Sequence, residues 1–449
     1  MKAIVYIETL GCQMNVADTE RASTRLREAG FVLTDSIQTA DVVIFNTCSV
    51  RARAVQKVFT RIGEVRNSKK SPDPIIGVMG CVAQLEGETL FDHSFNLDLV
   101  VGTQATDRLP FLVESALQGK RRVIDLGDRA EGEFWNVSTS VRHSPFVAFV
   151  PIIEGCNKFC SYCIVPFSRG REISRTATEI IDEVCRLRKE GFCEIHLIGQ
   201  NVNSYRPRTD KGLERFPGAT PFSRLLRAVA ATGMARIKFT TSFPRDFHPD
   251  IVKAIDENEN LCDWVHLPVQ SGSNRLLRLM RRGYKIEDYL HRVDVIKSAR
   301  RRLALTSDII VGFPGETSEE FEETLKLVER CQYDSLYIFK YSERVGTSAA
   351  LLKDDVSSQE KTARFLALES LQRNIQNRIN KSYIGRELRV LVEGESAKSQ
   401  FDMMGHSTCH KVINFPGEIS LRGREIAVCV TAAKANSLYG VQSKTPSLS

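Results

Sequence analysis

Glu154-Gly155-Cys156-Asn157-Lys158-Phe159-Cys160-Ser161-Tyr162-Cys163 carries three thiols at CxxxCxxC spacing, directly after the apolar run Phe146 to Ile153. A short apolar run ending at a glycine reads as a buried strand, so the cysteines open the loop at its carboxyl end. Three thiolates on so short a loop can converge on one centre. A closed tetrahedral zinc site needs a fourth ligand, and no nearby His or Cys supplies one. A 4Fe–4S cluster normally takes four thiolates; with three, one iron is left open to a further ligand. A half zinc site completed from far along the chain, or three packed thiols, are the alternatives.

This stretch resembles the cluster motif of the radical S-adenosylmethionine (SAM) enzymes. Its flanks, Glu154 to Lys158 and Ile164-Val165-Pro166-Phe167-Ser168-Arg169-Gly170-Arg171-Glu172, are similar to those of the methylthiotransferases. The resemblance implies that Cys156, Cys160 and Cys163 hold a 4Fe–4S cluster. It also implies that SAM binds the open iron and is cleaved on reduction to methionine and a deoxyadenosyl radical.

The 449 residues suffice for two to four domains. Apolar content is an ordinary 42% and the formal net charge is a mild +7. No apolar run reaches eighteen residues, so no transmembrane helix is predicted. The start, Met1-Lys2-Ala3-Ile4-Val5-Tyr6, runs straight into a strand without a signal-peptide pattern. Twelve cysteines in that setting point to a reducing, cytoplasmic compartment and to metal or redox use.

The residues before about 140 alternate strands and helices. Strands are predicted at Ile4 to Thr9, Asp41 to Phe45 and Ile75 to Met79, and helices at Asp18 to Ala29 and Arg51 to Arg66. Ser71-Pro72-Asp73-Pro74 is predicted to break the chain, and Arg129 to His143 reads as a linker. This βαβαβ pattern implies a doubly wound parallel sheet. Cys12, Cys48 and Cys81 each follow a strand, so all three belong on the carboxyl edge of one sheet. The blocks Thr9 to Asn15, Asn46 to Arg51 and Met79 to Cys81 are similar to the methylthiotransferase N-terminal domain. That likeness implies an auxiliary 4Fe–4S cluster on these three cysteines, carrying the sulfur to be inserted.

A longer series of six β/α units follows: Phe146 to Ile153, Glu194 to Ile198, Arg236 to Thr240, Trp264 to Val269, Ala304 to Val311 and Ser335 to Phe339. It suggests a partial (β/α)6 barrel with its chemistry at the carboxyl ends of the strands. Gln200, Asn201, Gln270 and Asp308 are the candidate SAM contacts. His196 and His266 read as core histidines; Cys185, Cys193, Cys262, Cys331, Cys409 and Cys429 read as core thiols. A helix from Ser357 to about Asn380 leads to three predicted strands, Glu387 to Glu393, Met403 to Phe415 and Glu425 to Ala432, which fit a small β-barrel. Gly405 to Phe415 looks like the TRAM domain, an RNA-binding module. Arg386, Arg389, Lys411, Arg422 and Arg424 are its candidate RNA contacts, and the chain from Gln442 on is predicted to be disordered.

The expected domains are 1–141, 142–377 and 378–449. The resemblance runs in order through nearly the whole chain. It is nearest to the branch of the family that inserts a methylthio group at C2 of N6-isopentenyladenosine at tRNA position 37, with two 4Fe–4S clusters and two SAM. It implies the tRNA anticodon stem-loop as partner, a low-potential electron donor such as flavodoxin or ferredoxin, no membrane, and a monomer. Phe167, Arg53 and His406 stand where that family commonly has Tyr, Glu and Arg. Sister enzymes acting on threonylcarbamoyladenosine in tRNA or on a ribosomal-protein aspartate, and a non-catalytic iron–sulfur RNA-binding protein, are the alternatives.

Overall fold

Parallel pairing begins at the first strand. The computed structural model describes residues 2–49, 52–67, 73–93, 97–129, 135, 137–397 and 399–443. Ser71, Pro72, part of the anticipated linker and the tail beyond 443 lie outside them. Two compact units divide the chain: residues 1–158 with 163–173, and residues 159–162 with 174–449.

The first unit contains β1 (Ile4–Leu10), α1 (Gln13–Glu28), β2 (Val32–Leu33), β3 (Val42–Thr47), α2 (Ala52–Asn67), β4 (Ile75–Gly80), α3 (Cys81–Glu86), α4 (Thr89–His93), β5 (Leu99–Val101), α5 (Leu109–Leu117), β6 (Val123–Asp125), β7 (Val147–Pro151), β8 (Ile153–Glu154) and α6 (Val165–Arg169). Six strands form one sheet in the order β2-β1-β3-β4-β5-β6, and every pairing is parallel. Strand alternation sends successive side chains to opposite faces. Val42 and Ile44 pack with Ala22 and Leu26 of α1 and with α5. Val43 and Phe45 pack with Val58 and Ile62 of α2 and with α4. Apolar cover on both faces is what a parallel sheet requires.

The strand order reverses between β1 and β3, which makes the crevice at their carboxyl ends the topological switch point where open α/β sheets bind ligands. Helix α1 begins at Gln13, five residues before the predicted start, because Cys12 acts as its N-cap residue. β5 and α5 were not foreseen. The predicted strand Phe146 to Ile153 is two strands separated at Ile152.

After β9 (Ile173–Ser174), the second unit continues with α7 (Ala177–Lys189), β10 (Glu194–Ile198), α8 (Pro221–Ala230), β11 (Arg236–Phe239), α9 (Asp250–Glu257), β12 (Trp264–His266), α10 (Asn274–Leu279), α11 (Ile286–Lys297), β13 (Ala304–Val311), α12 (Ser318–Cys331) and β14 (Ser335–Lys340). β10 pairs in parallel with β11, and β13 with β12 and β14. These are five of the six anticipated barrel strands; the first, β7, groups with the first unit. The 24-residue α13 (Ser358–Lys381) then leads to a closed barrel of β15 (Glu387–Ser396), β16 (Ser399–Ser407), β17 (Val412–Pro416), β18 (Glu425–Ala433) and β19 (Leu438–Gln442).

The predicted strand Met403 to Phe415 is instead a hairpin. His410 adopts the left-handed region at φ 61°, and Ser407 N–H donates to the Lys411 carbonyl, closing the turn. β19, not foreseen, closes the barrel by pairing with β17 and β18. The core of this barrel runs on into Trp264, Ala304 and Tyr383. Among the described residues no helix is long and apolar enough to cross a membrane.

Candidate functional site

Register sets the first group of thiols. Leu10 pairs with Thr47, and Thr47 with Gly80. Cys48 and Cys81 therefore stand one residue beyond paired positions, and Cys12 two beyond. Gly80 has φ 93°, and a Cβ there would meet the Asn46 side chain and the Thr47 carbonyl, so a side chain at this turn into Cys81 is excluded. Asn15, fully buried, ties the edge together. Its Oδ1 accepts from the Cys12 N–H at 3.2 Å and the Cys12 thiol at 3.3 Å. Its Nδ2 donates to Asn46 Oδ1 and to the Thr47 carbonyl.

The Cys12 and Cys48 thiols are hydrogen-bonded to each other. That bond, aided by the Arg169 charge and opposed by burial, draws the Cys12 thiol down to about 6. Burial pushes the Cys81 thiol up, against the nearby Arg169 charge. Burial opposes the charge on Arg169, but Asp18, Cys81 and Glu154 carry its pKa well above the ordinary value, so it stays cationic. Arg169 is held by Asp18 at 2.6 Å and Glu154 at 3.3 Å. Glu154 also takes Arg129. α6 is anchored where Thr103 donates to the Ser168 carbonyl and Gln104 to the Arg169 carbonyl. Arg169 was visible in the sequence block but had no assigned role, because nothing local marks its partner on α1.

Among the described residues no three His, Cys, Asp or Glu side chains close around a single point as they would for one metal ion. The donor set at the switch point is thiol only, with a buried cation beside it, which suits an iron–sulfur cluster.

Cys156, Cys160 and Cys163 share the loop between β8 and α6. Cys156 N–H donates to the Gly170 carbonyl at 3.1 Å, and its sulfur accepts from the Lys158 N–H. Gly155, at φ 79°, lies so close to the Arg171 carbonyl that a Cβ would clash with backbone. In the second unit, Cys160 accepts from Arg282 Nη1 at 3.4 Å. Arg282 is buried, lies over the Phe243 and Tyr284 rings, and donates to the Pro268 carbonyl. Sequence reasoning missed it, although the turn Arg281-Arg282-Gly283 carries a positive φ at Arg281.

Three of the candidate SAM residues follow the carboxyl ends of barrel strands, and Asp308 lies within β13. Gln200 and Asn201 follow β10, and Gln200 Oε1 is buried without a partner among the described residues. Gln270 follows β12; its N–H donates to the Asp308 carbonyl, and its own carbonyl accepts from Ile310. Gln270 and Thr241, each past a barrel strand, have φ of 80° and 67°. Such strain in non-glycine residues gathers at ligand sites. The Asp308 carboxylate stands 3.4 Å from His266 Nε2, whose Nδ1 is paired with Thr306. His196 is bonded to Glu194 at 2.6 Å. Of the six thiols read as core, Cys262, Cys331 and Cys409 are buried and the other three half-buried.

One candidate RNA contact is corrected. Lys411 is buried; its ammonium bonds Asp334 at 2.9 Å and faces the Tyr383 ring. A charge locked inside the protein cannot meet phosphate. Arg386, Arg389, Arg422 and Arg424 are exposed, as is Phe401 on β16, 82% accessible.

Comparison with known families agrees with this arrangement. Residues 4–102 match a model described as Uncharacterized protein family UPF0004, residues 150–328 the Radical SAM superfamily, and residues 381–441 the TRAM domain. The chain is 44% identical to the tRNA-2-methylthio-N(6)-dimethylallyladenosine synthase of Solibacter usitatus, covering 97% of both chains. It is 42% identical to that of Geobacter sulfurreducens, covering 97% of this chain and 96% of that one. A solved radical SAM methyltransferase from Kitasatospora setae shares the fold at a TM-score of 0.57 and 15% identity, covering 80% of this chain and 78% of its own. With three strand-end thiols at the switch point, a CxxxCxxC loop and a closed C-terminal barrel, the chain belongs to the tRNA-2-methylthio-N(6)-dimethylallyladenosine synthase family of radical SAM enzymes.

Proposed function

We propose that this protein transfers a methylthio group to C2 of N6-isopentenyladenosine at position 37 of tRNA, using two 4Fe–4S clusters and two SAM molecules. The observation that carries this reading is the strand register, which puts Cys12, Cys48 and Cys81 within two residues of three paired strand ends at the switch point, in a chain that separately holds the CxxxCxxC loop. An aromatic C2–H is not acidic and offers no leaving group, so general acid–base chemistry cannot open it. When bound, the clusters and SAM supply a deoxyadenosyl radical to break that bond and sulfur to replace the hydrogen.

The residues of the chain do the rest. Cys156, Cys160 and Cys163 hold one cluster and leave a coordination position for SAM. Gln200, Asn201, Gln270 and Asp308 contact SAM, and Gln200 Oε1 is a buried acceptor without a donor among the described residues. Arg282 steadies the Cys160 sulfur. Cys12, Cys48 and Cys81 hold the second cluster, with Arg169 offsetting its negative charge. The exposed arginines and Phe401 of the C-terminal barrel hold RNA. The protein acts in the cytoplasm as a monomer, with the domains 1–141, 142–377 and 378–449, and takes electrons from a flavodoxin- or ferredoxin-type donor.

Nucleoside mass spectrometry of tRNA from a strain lacking the gene tests the reading. The 2-methylthio nucleoside should vanish and N6-isopentenyladenosine accumulate, and complementation should restore the product. An unchanged nucleoside profile overturns it.

A further inference from the structure

The second unit contains a cavity of about 600 Å³ that none of the roles above uses. Its walls come from three places: the loop after β10, the loop after β11, and α11. Arg206, Arg245, Arg292, His248 and His291 line it against a single acid, Asp246. That acid is already engaged. Its Oδ2 accepts from Ser204 Oγ at 2.7 Å and its Oδ1 from Arg245 Nε at 3.1 Å. Arg206 has no carboxylate partner among the described residues; Arg292 spends Nη1 and Nη2 on the Asp288 and Arg245 carbonyls, but its charge meets no carboxylate there and its Nε is buried without an acceptor among them. His248 Nδ1 accepts from the Asp250 N–H at 3.1 Å, so its proton sits on Nε2 and makes that nitrogen a donor. The lining therefore holds an excess of cations and unspent donors, which calls for an anion.

Position narrows the class of anion. The segment that begins with Gln200 and Asn201 continues directly into the cavity-lining Asn203, Tyr205 and Arg206. Asn203 clamps it to the next loop, donating to the Phe243 carbonyl at 2.9 Å and accepting from the Phe243 N–H at 2.7 Å. The cavity thus opens at the carboxyl edge of β10 and β11, the edge where barrel folds place their chemistry. Three guanidiniums on three separate elements suit successive phosphates along a strand better than one small ion. The Arg245 guanidinium also lies over the Phe243 ring, a pre-formed planar surface of the kind RNA strands stack on.

We propose that this cavity receives the phosphodiester backbone of the tRNA strand that carries the target base, setting the register in which that base enters the barrel. This rests on the function proposed above and adds a second RNA contact, apart from the C-terminal barrel.

The test uses the full-length, cluster-loaded protein and a synthetic anticodon stem-loop RNA bearing N6-isopentenyladenosine, with affinity measured across a salt series. Arg206→Glu and Arg245→Glu change exposed side chains, and thermal midpoints check that both variants fold. Each should weaken RNA binding on the order of tenfold and make the salt slope shallower by about one unit for each phosphate no longer neutralised. Arg206→Lys should recover most of the affinity. Arg373→Glu, an exposed reversal on α13, should match wild type and so exclude a simple net-charge effect. If the two cavity variants bind RNA as wild type does but lose binding of sodium pyrophosphate, the cavity is a small-anion site and the proposal is overturned. It is equally overturned if neither probe changes. Failure of the wild-type protein itself to bind or modify the RNA would instead refute the function reading.

Discussion

The Arg169 guanidinium grips both carboxylate oxygens of Asp18, Nη2 to Oδ2 at 2.6 Å and Nη1 to Oδ1 at 3.3 Å, and each side chain is only 3% exposed. This pair joins the helix that follows the CxxxCxxC loop to the helix that Cys12 begins. A buried pair contributes little beyond a well-packed apolar replacement, but losing one partner strands a charge. Arg169→Ala should therefore destabilise the first unit by about 3–5 kcal/mol. The double variant Asp18→Asn with Arg169→Gln should lose clearly less. Denaturant unfolding of Arg169→Ala and of the cycle made by wild type, Asp18→Asn, Arg169→Gln and the double variant, with iron content measured alongside, checks the prediction.

The two thiol groups should separate in function. With Cys12, Cys48 and Cys81 all changed to Ala, the protein should keep about half its iron, still cleave SAM under reducing conditions, and form no methylthio product. With Cys156, Cys160 and Cys163 changed to Ala, iron should again fall by about half, and SAM cleavage should stop. Loss of nearly all iron from either folded variant would mean one shared site rather than two.

On the C-terminal barrel, Phe401 and Lys411 should behave oppositely. Phe401→Ala should leave stability unchanged and weaken single-stranded RNA binding by about 1–3 kcal/mol if a base stacks there. Lys411→Ala strands the Asp334 carboxylate and should cost about 3–5 kcal/mol of stability. RNA affinity measured below the melting range should be unaffected by it. The reverse pattern would place the RNA on the other face of the hairpin.

His410 should make stability fall with acid. It stacks between Trp264 and His406, and burial, then the Lys238 and His406 charges, lower its pKa to about 2. His196 and Glu194 also face it. An unfolded histidine titrates near 6.5. The neutral folded form therefore contributes full stability above pH ~6.5, and loses it at ~1.4 kcal/mol per pH unit below that. His410→Asn, which tolerates the left-handed backbone, should flatten the fall in thermal midpoint between about pH 6.5 and 5. An identical slope in the variant would show that His410 takes up protons in the folded state.

The sequence by itself determined where the thiols lie and on which edge they gather. Apolar runs mark β1, β3 and β4, the cysteines follow each run at once, and parallel connection puts all three carboxyl ends on one side. Local patterns of that kind need no knowledge of distant partners. The strand order that creates the switch point, the hairpin inside Met403 to Phe415, and the burial of Lys411 were decided by the tertiary structure. So were the partners of Arg169 and Arg282, which lie 151 and 122 residues away. A guanidinium has the same helix and turn preferences whether it faces solvent, a carboxylate or a sulfur. Only the packing of remote segments removes the water around it and fixes which one it meets.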